Sequence, residues 1–214
     1  MKYQHILFDL DGTLTDPKEG ITKSAAYALE HFGIKEDPND LTFFIGPPLI
    51  PTFEGHYGFS HEDAVEAVRL YRVRYAEVGL FENKPYEGII DLLAELKRAG
   101  STVMVATSKP TVFSQKIIDR YGIGRYVDYL AGSNLDNTRG DKADVIAYAE
   151  EISGMTDKSG AVMVGDTKFD IIGGKARGMK TVGVLYGYGT EESLRAEGAD
   201  FIAPTVKDLY GILM

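Results

Sequence analysis

Residues 5–13 read HILFDLDGT, a short apolar run that ends in two aspartates, a glycine and a threonine. The run His5–Leu10 is nearly continuous in hydrophobicity, which is typical of a strand covered on both faces. Residues two apart on a strand point to the same side, so Asp9 and Asp11 can converge on one ligand at its carboxyl end. Two neighbouring carboxylates repel each other and need a cation, and Gly12 permits a tight turn. The structural alternative is an ordinary Asp-Gly turn that closes a strand.

Similar apolar runs recur along the chain and are separated by stretches with helical periodicity. The predicted strands are His5–Leu10, Thr102–Thr107, Tyr126–Ala131, Ala161–Val164 and Thr181–Leu185. The predicted helices cover residues 89–100, Thr111–Tyr121, Asp141–Glu151 and Phe169–Arg177. This alternation predicts right-handed βαβ units, and hence an α/β fold with a doubly wound, Rossmann-like parallel sheet.

The segment from residue 16 to residue 85 interrupts the alternation. It has two long helical patterns, Gly20–Phe32 and His61–Gly79, joined by a predicted loop with the sequence TFFIGPPLIPTFEG. Six of the eight prolines lie here, and 12 acidic against 7 basic residues give the segment five of the nine net negative charges. We therefore predict an α/β core of residues 1–15 and 86–214, with a small α-helical module of residues 16–85 inserted into it.

Composition excludes several classes of function. The 214 residues include 23 Lys and Arg against 32 Asp and Glu, a net charge of −9, which argues against nucleic acid polymers and anionic membranes as partners. The absence of cysteine excludes disulfides, thiolate metal sites and cysteine nucleophiles. No apolar run approaches the roughly 18 residues of a membrane span, and the N-terminus lacks the pattern of a signal peptide. We expect a cytoplasmic protein.

A second pair of carboxylates follows the predicted strand Ala161–Val164. Asp166 closes that strand, and Asp170 lies four residues further on, about one helical turn. Divalent cations take oxygen ligands, and Mg²⁺ usually binds through one or two carboxylates together with a phosphate. The two pairs therefore predict a Mg²⁺ site, although Asp166 alone could be a helix N-cap.

Two further strand or helix ends carry polar groups that suit a phosphate. Thr107 and Ser108 close the strand that begins at Thr102, where hydroxyl and N–H groups could hold an anion, although such residues also serve as N-caps. Lys142 lies at the start of a predicted helix, where the helix dipole disfavours a cation. This placement suggests a lysine that faces a ligand, with a solvated side chain as the alternative.

Taken together, these motifs resemble those of the haloacid dehalogenase-like superfamily, whose members mostly hydrolyse phosphate monoesters. The motifs are Asp9-x-Asp11, Thr107-Ser108, Lys142 and Asp166-x-x-x-Asp170. The resemblance covers nearly the whole chain, and residues 16–85 look like the small helical cap of that superfamily. The tail beginning GVLYGYG resembles the branch of phosphoglycolate phosphatases, and the segment FFIGPPL looks like its bacterial 5′-nucleotidase-like members.

The resemblance implies a Mg²⁺-dependent phosphatase that works through an aspartyl phosphate. In this interpretation Asp9 is the nucleophile, and Asp11 exchanges protons with the leaving oxygen and with water. Mg²⁺ would be held by Asp9, the carbonyl of Asp11 and Asp166, with Asp170 behind them. The implied contacts to the phosphoryl group and the rest of the substrate come from Thr13, Thr107, Ser108 and Lys142.

Two alternatives stay open. A phosphomutase of the same superfamily uses the same motifs, but its cap should bring cations to a second phosphate, and Gly46–Pro51 contains none. A non-catalytic binder of phosphorylated metabolites would not need every catalytic position filled. In each case the expected partner is a small phosphorylated metabolite, and the expected assembly is a monomer or a weak homodimer.

The loop Phe43–Leu49 carries our hypothesis about the substrate. Its apolar and aromatic residues suit a leaving group with a flat or apolar part, so we assign Phe44 and Gly46 to substrate binding. Phosphoglycolate carries a second anion and would need a cation there. The loop therefore favours nucleoside 5′-monophosphates over phosphoglycolate.

Overall fold

The computed structural model describes residues 2–135 and 138–214. The chain divides into two compact units, Met1–Asp16 with Pro85–Met214 (unit 1) and Pro17–Lys84 (unit 2). Each boundary between the units lies one residue from the predicted position. The first part of unit 1 ends at residue 16 rather than 15, and its second part begins at residue 85 rather than 86.

Over the described residues, the structure contains the following strands and helices. The strands are β1 (His5–Phe8), β2 (Thr15–Asp16), β3 (Lys84–Pro85), β4 (Thr102–Pro110), β5 (Tyr129–Ser133), β6 (Ala161–Gly165), β7 (Lys180–Val184) and β8 (Phe201–Ala203). The helices are α1 (Lys18–His31), α2 (Leu49–Tyr57), α3 (His61–Glu77), α4 (Ile89–Arg98), α5 (Thr111–Arg120), α6 (Lys142–Ser153), α7 (Lys168–Ala176), α8 (Glu191–Ala196) and α9 (Val206–Leu213). None of these helices is both long and apolar enough to cross a bilayer.

Unit 1 is built on a parallel sheet with the strand order β5-β4-β1-β6-β7-β8, which confirms the predicted fold class. The central strand β1 pairs with β4 on one side and with β6 on the other, so that Phe8 lies opposite both Val105 and Val164. Ile6, Leu7 and Phe8 are completely buried, as expected for a strand covered on both faces. The shared register brings the carboxyl ends of these three strands to one edge of the sheet.

The five predicted strands are present, but their bounds differ from the prediction. β1 ends at Phe8 rather than Leu10, β4 continues past Thr107 to Pro110, and the two-residue strands β2 and β3 were not predicted. β5 begins at Tyr129 rather than Tyr126, because a 3-10 helix over Ile123–Arg125 precedes it. The strand β8 was not predicted. It has only three residues, lies at the sheet edge and fully buries only Ala203, so its hydrophobic signal is weak.

Unit 2 contains a helix where we expected only a loop. The predicted loop TFFIGPPLIPTFEG includes a 3-10 helix and most of α2. Its prolines do not prevent this, since Pro48 is the N-cap of α2 and Pro51 lies in its first turn. The N–H groups of a first helical turn have no partner within the helix, so proline costs little there.

An aromatic cluster forms the interior of unit 2 around Phe44. The ring of Phe44 is 1% exposed and lies 4.7 Å from Phe53 and 6.3 Å from Tyr57, measured between ring centroids. The neighbouring Phe43 stacks on His56 at 3.9 Å. Phe44 therefore packs in this cluster, and its assignment to substrate binding stays a prediction.

We predict that Gly20 and Gly55, both in helices of unit 2, respond oppositely to replacement by alanine. A Cβ on Gly20 would lie 2.0 Å from the carbonyl oxygen of Gly79, whereas a Cβ on Gly55 would meet nothing within 4 Å. Gly20→Ala should lower the free energy of unfolding by about 1–3 kcal/mol. Gly55→Ala should raise it by about 0.5–1 kcal/mol, because alanine favours helix. Urea titration of both variants measures the difference, and equal effects would contradict the close approach.

Candidate active site

Three aspartates meet at the carboxyl ends of β1 and β6. Asp9 follows β1, Asp166 follows β6, and Asp170 lies in the first turn of α7. Each offers a carboxylate oxygen that lies within 4.8 Å of the others, and we call these three residues the acid cluster. They are 8%, 1% and 0% exposed, respectively. The structure thus gathers three of the aspartates that the motifs singled out into one buried group.

Lys142 neutralises part of this negative charge. It is the first residue of α6, and its Nζ lies 2.9 Å from Asp9 Oδ1 and 2.8 Å from Asp170 Oδ1. The third ammonium hydrogen bond, 3.1 Å long, goes to the carbonyl of Ala106. Burial lowers the pKa of Lys142, but the two carboxylates outweigh it and raise the pKa above the usual value. Lys142 is therefore a buried, charged side chain that bridges two carboxylates, rather than a solvated residue.

Asp170 also helps to cap the N-terminus of α7, the helix on which it lies. Its Oδ2 accepts hydrogen bonds from the Thr167 N–H at 3.0 Å and from the Thr167 hydroxyl at 2.9 Å, which forms a capping box. The N-cap of α7 is Thr167 and not Asp166. Asp166 is thus free of the capping role that was its structural alternative.

Asp166 is held from two sides by groups of unit 1. The Thr13 hydroxyl donates to Asp166 Oδ1 at 3.4 Å, and the N–H of Tyr188 donates to Oδ2 at 2.8 Å. Thr13 is completely buried. Its side chain contacts a carboxylate of the acid cluster, and the assignment of Thr13 to substrate binding stays a prediction.

Three glycines bring the backbone into close contact with Asp166. Gly12 has φ of +79°, and a Cβ there would lie 2.2 Å from Asp166 Oδ2. A Cβ on Gly187 would lie 2.4 Å from the Cβ of Asp166, and one on Gly189 would lie 1.8 Å from its carbonyl oxygen. No side chain fits at these three positions without displacing Asp166 or its neighbours, so the two glycine-containing loops can close on the carboxylate.

The charge of the acid cluster is not balanced by Lys142 alone. Burial, followed by the charges of Asp170 and Asp9, raises the pKa of Asp166 to about 8. Burial also raises the pKa of Asp170, although Lys142 opposes this. Buried oxygen donors that repel one another in this way fit a divalent cation, which would relieve the repulsion.

The end of β4 supplies the next part of the site. Thr107 is 2% exposed, and its hydroxyl oxygen accepts a hydrogen bond from the Lys109 N–H at 3.3 Å, while Ser108 is half-buried. The N-cap of α5 is Pro110, so Thr107 and Ser108 do not cap that helix. The side chain of Lys109 forms an ion pair with Asp11, and both side chains are mostly buried.

Two residues of the site were missed from the sequence. Lys109 stands two residues after Thr107 on the same strand, and Tyr188 follows the end of β7. Tyr188 also connects two parts of unit 1, because its hydroxyl bonds to Asp16 while its N–H binds Asp166. The run Tyr-Gly-Tyr-Gly directly after a buried strand was the available signal for Tyr188, since glycines there allow backbone to approach a ligand.

The family model of haloacid dehalogenase-like hydrolases matches residues 6–184 of the chain. The chain belongs to this family. The hydrolase is 44% identical to a 5′-nucleotidase of Pseudomonas aeruginosa over 197 residues, which are 92% of this chain and 89% of the relative. It is 39% identical to the tyrosine-protein kinase PtkA of Mycobacterium tuberculosis over 94% of this chain and 66% of that protein.

A solved structure gives the same result for the fold. The crystal structure of a predicted phosphatase from Clostridium acetobutylicum is 43% identical to this hydrolase and superposes with a TM-score of 0.95 over 100% of this chain and 99% of that one. These findings confirm the predicted family, fold and enzyme class, a phosphatase. Of the two relatives, one is named as a 5′-nucleotidase, which acts on a small phosphorylated substrate, and the other is named as a kinase.

We predict that the stability of the metal-free protein falls as the pH rises from about 5 to about 8. The pKa of Asp166 is about 8 in the folded chain against 3.8 ordinarily, so the folded state binds this proton more tightly than the unfolded one. The resulting stability is complete below the ordinary pKa and is lost as the pH rises through the folded one. Thermal unfolding in a chelator, followed by addition of Mg²⁺ at high pH, measures the loss and its reversal.

Two variants make this test specific. Asp166→Asn should flatten the fall, because an amide does not titrate. Asp157→Asn is the control, since the pKa of that exposed carboxyl is lowered and it stays ionised across the range. A wild-type slope in Asp166→Asn would contradict the assignment.

Proposed function

We propose that this hydrolase is a Mg²⁺-dependent phosphatase that transfers the phosphoryl group of a small monoester first to Asp9 and then to water. The observation that carries the proposal is the arrangement around Asp9. This carboxylate lies in the acid cluster, contacts the Lys142 ammonium at 2.9 Å, and is followed two residues later by a second carboxylate, Asp11. A nucleophile, a proton carrier and charge neutralisation are what phosphoryl transfer to an enzyme requires.

The residues proposed to hold the cation are Asp9, the backbone carbonyl of Asp11, and Asp166. When bound, Mg²⁺ neutralises the oxygens of the transferring phosphoryl group. Asp170 does not need to touch the cation, because its two oxygens already engage Lys142 and Thr167. Its proposed role is to hold Lys142 beside Asp9.

Asp9 is oriented for attack by contacts to one of its oxygens. Oδ1 accepts a hydrogen bond from the Leu10 N–H at 2.8 Å and faces Lys142. Oδ2 is therefore the oxygen proposed to attack. A bond forms between Oδ2 and phosphorus while the bond from phosphorus to the ester oxygen breaks, which gives an aspartyl phosphate and the free alcohol.

Asp11 is proposed to carry the protons of both half-reactions. In the first half it gives a proton to the leaving ester oxygen. In the second half it takes a proton from the attacking water, while the new oxygen–phosphorus bond forms and the Asp9 carboxylate is released with inorganic phosphate. The proton count is balanced over the cycle, and Asp11 ends as it began.

The phosphoryl oxygens are proposed to be bound by the Thr107 hydroxyl, the Ser108 N–H and Lys142. In the resting structure all three ammonium hydrogens of Lys142 already have partners. Contact with the phosphoryl group therefore requires Lys142 to exchange one of them, and the neutral carbonyl of Ala106 is the least costly to give up.

For the substrate we propose nucleoside 5′-monophosphates, with phosphoglycolate as the second choice. The 44% identity to a protein named 5′-nucleotidase supports this order. The segment Phe43–Leu49 has no basic residue that could pair with a second anion. This disfavours phosphoglycolate as the substrate, and it also disfavours the bisphosphate that a phosphomutase would hold. Contact between the leaving group and Gly46 is part of this proposal.

We predict that Asp9→Asn loses at least about a thousandfold in kcat, because an amide does not attack phosphorus. Asp166→Asn should also lose activity, but high Mg²⁺ should restore part of it, since this variant mainly weakens cation binding. Phosphate release measured over a Mg²⁺ titration separates the two effects. Asp9→Asn retaining more than about a tenth of the wild-type rate would refute its role as nucleophile.

The proposed substrate is tested by comparing kcat/KM for a nucleoside 5′-monophosphate and for phosphoglycolate. We expect the wild-type enzyme to prefer the nucleotide by at least about tenfold, because one buried anion without a counter-charge costs about 1.4 kcal/mol or more. Inorganic phosphate release from both substrates at equal Mg²⁺ gives the ratio. A preference for phosphoglycolate would reverse the proposed order without affecting the roles of the aspartates.

A further inference from the structure

Lys109 and Asp11 form an ion pair that the proposed chemistry does not yet use. The Lys109 Nζ contacts Asp11 Oδ2, and the two side chains are 8% and 14% exposed. An ion pair that is mostly withdrawn from water keeps its geometry better than a solvated one, because few water molecules compete for either partner. The pair therefore fixes the orientation of the Asp11 carboxylate.

The fold directs Lys109 to this position through an irregularity of β4. The register between β4 and β5 shifts between Thr107 and Pro110, which marks a bulge, and bulges beside active sites turn side chains in new directions. The Lys109 N–H bonds to the Thr107 hydroxyl oxygen within this bulge. A Cβ on Gly132 of β5 would lie 2.7 Å from the Lys109 carbonyl oxygen, so the glycine makes room for the bulged chain.

The two oxygens of Asp11 are thereby made different. Oδ2 faces the Lys109 ammonium, which has only hydrogen-bond donors, so this oxygen must act as an acceptor. Oδ1 is buried and accepts no hydrogen bond from any part of the chain that the structure describes. Oδ1 is therefore the oxygen available to carry a transferable proton.

We propose that Lys109 is a positioning residue that holds Asp11 with Oδ1 as the oxygen that exchanges protons with the leaving group. This inference rests on the proposed role of Asp11 in proton transfer. Asp11 enters the cycle with a proton on Oδ1, while Oδ2 keeps its contact with the Lys109 ammonium. In the first half-reaction this proton moves from Oδ1 to the ester oxygen as its bond to phosphorus breaks and the bond from Asp9 forms. In the second, Oδ1 takes the proton back from the attacking water.

The dependence of the reaction rate on the leaving group distinguishes a positioning role for Lys109 from a purely structural one. An alkoxide is strongly basic and must be protonated as it departs, whereas p-nitrophenolate is stable as an anion and departs without a proton. Loss of a positioned general acid therefore slows the hydrolysis of alkyl monoesters far more than that of p-nitrophenyl phosphate. A residue that only stabilises the fold affects both substrates equally.

The test measures kcat/KM of Lys109→Met on a nucleoside 5′-monophosphate and on p-nitrophenyl phosphate. We expect a loss of about 10²-fold on the alkyl ester and of less than about fivefold on the aryl ester. Lys109→Arg, which keeps the charge, should recover part of the alkyl activity. Lys97→Met is the matched control: it removes the ion pair with Asp128, and it should leave the ratio of the two substrates unchanged.

Each result bears on a separate claim. Equal losses on both substrates, or none, in Lys109→Met would overturn the positioning role. Asp11→Asn is run in parallel and should show the same alkyl-specific loss; if it does not, the proposed role of Asp11 itself is rejected. Should Lys109→Met fail to fold by circular dichroism, Lys109→Gln, which also removes the charge, replaces it in the same comparison.

Discussion

Mutual repulsion among Asp9, Asp166 and Asp170 is the constraint on which the rest of unit 1 depends. Adjacent parallel strands bring the three carboxylates within 4.8 Å of one another in a buried place, where their charges are poorly screened. The chain holds them there with Lys142, whose helix begins against the preference of its own dipole, and with N–H groups of separate loops. In the proposed function, a bound divalent cation would relieve this repulsion.

Two aspartates that stand two residues apart are placed in different surroundings. Asp9 faces Lys142 from α6, whereas Asp11 faces Lys109 from β4. Each lysine engages one oxygen of its carboxylate, and the two lysines come from different elements, a helix and a strand. Different neighbours for two similar carboxyl groups are the usual basis for assigning one to attack and the other to proton transfer.

The sequence allowed the sheet and most of the site to be predicted, because both rest on local patterns. Apolar runs followed by Asp, Thr or Lys identify strand and helix ends, and parallel pairing brings those ends together. Lys109 could not be found in this way, since its direction depends on a register shift between β4 and β5. The complete burial of Thr13 and the near-complete burial of Phe44 could not be predicted for a related reason: burial is decided by tertiary packing that neither residue type reveals. The helix α2 was missed because prolines suggested a loop, although they occupy positions where a helix tolerates them.

The glycines around Asp166 have a consequence for how such chains are recognised in genomes. Gly12, Gly187 and Gly189 bear no functional group, yet any side chain at these positions would overlap the carboxylate or its backbone. In a saturation mutagenesis map they should be as intolerant as the aspartates. A homologue that keeps every catalytic residue but has lost these glycines would carry an intact signature and an inactive site. These three glycines are therefore as informative as the aspartates when active enzymes are distinguished from inactive homologues.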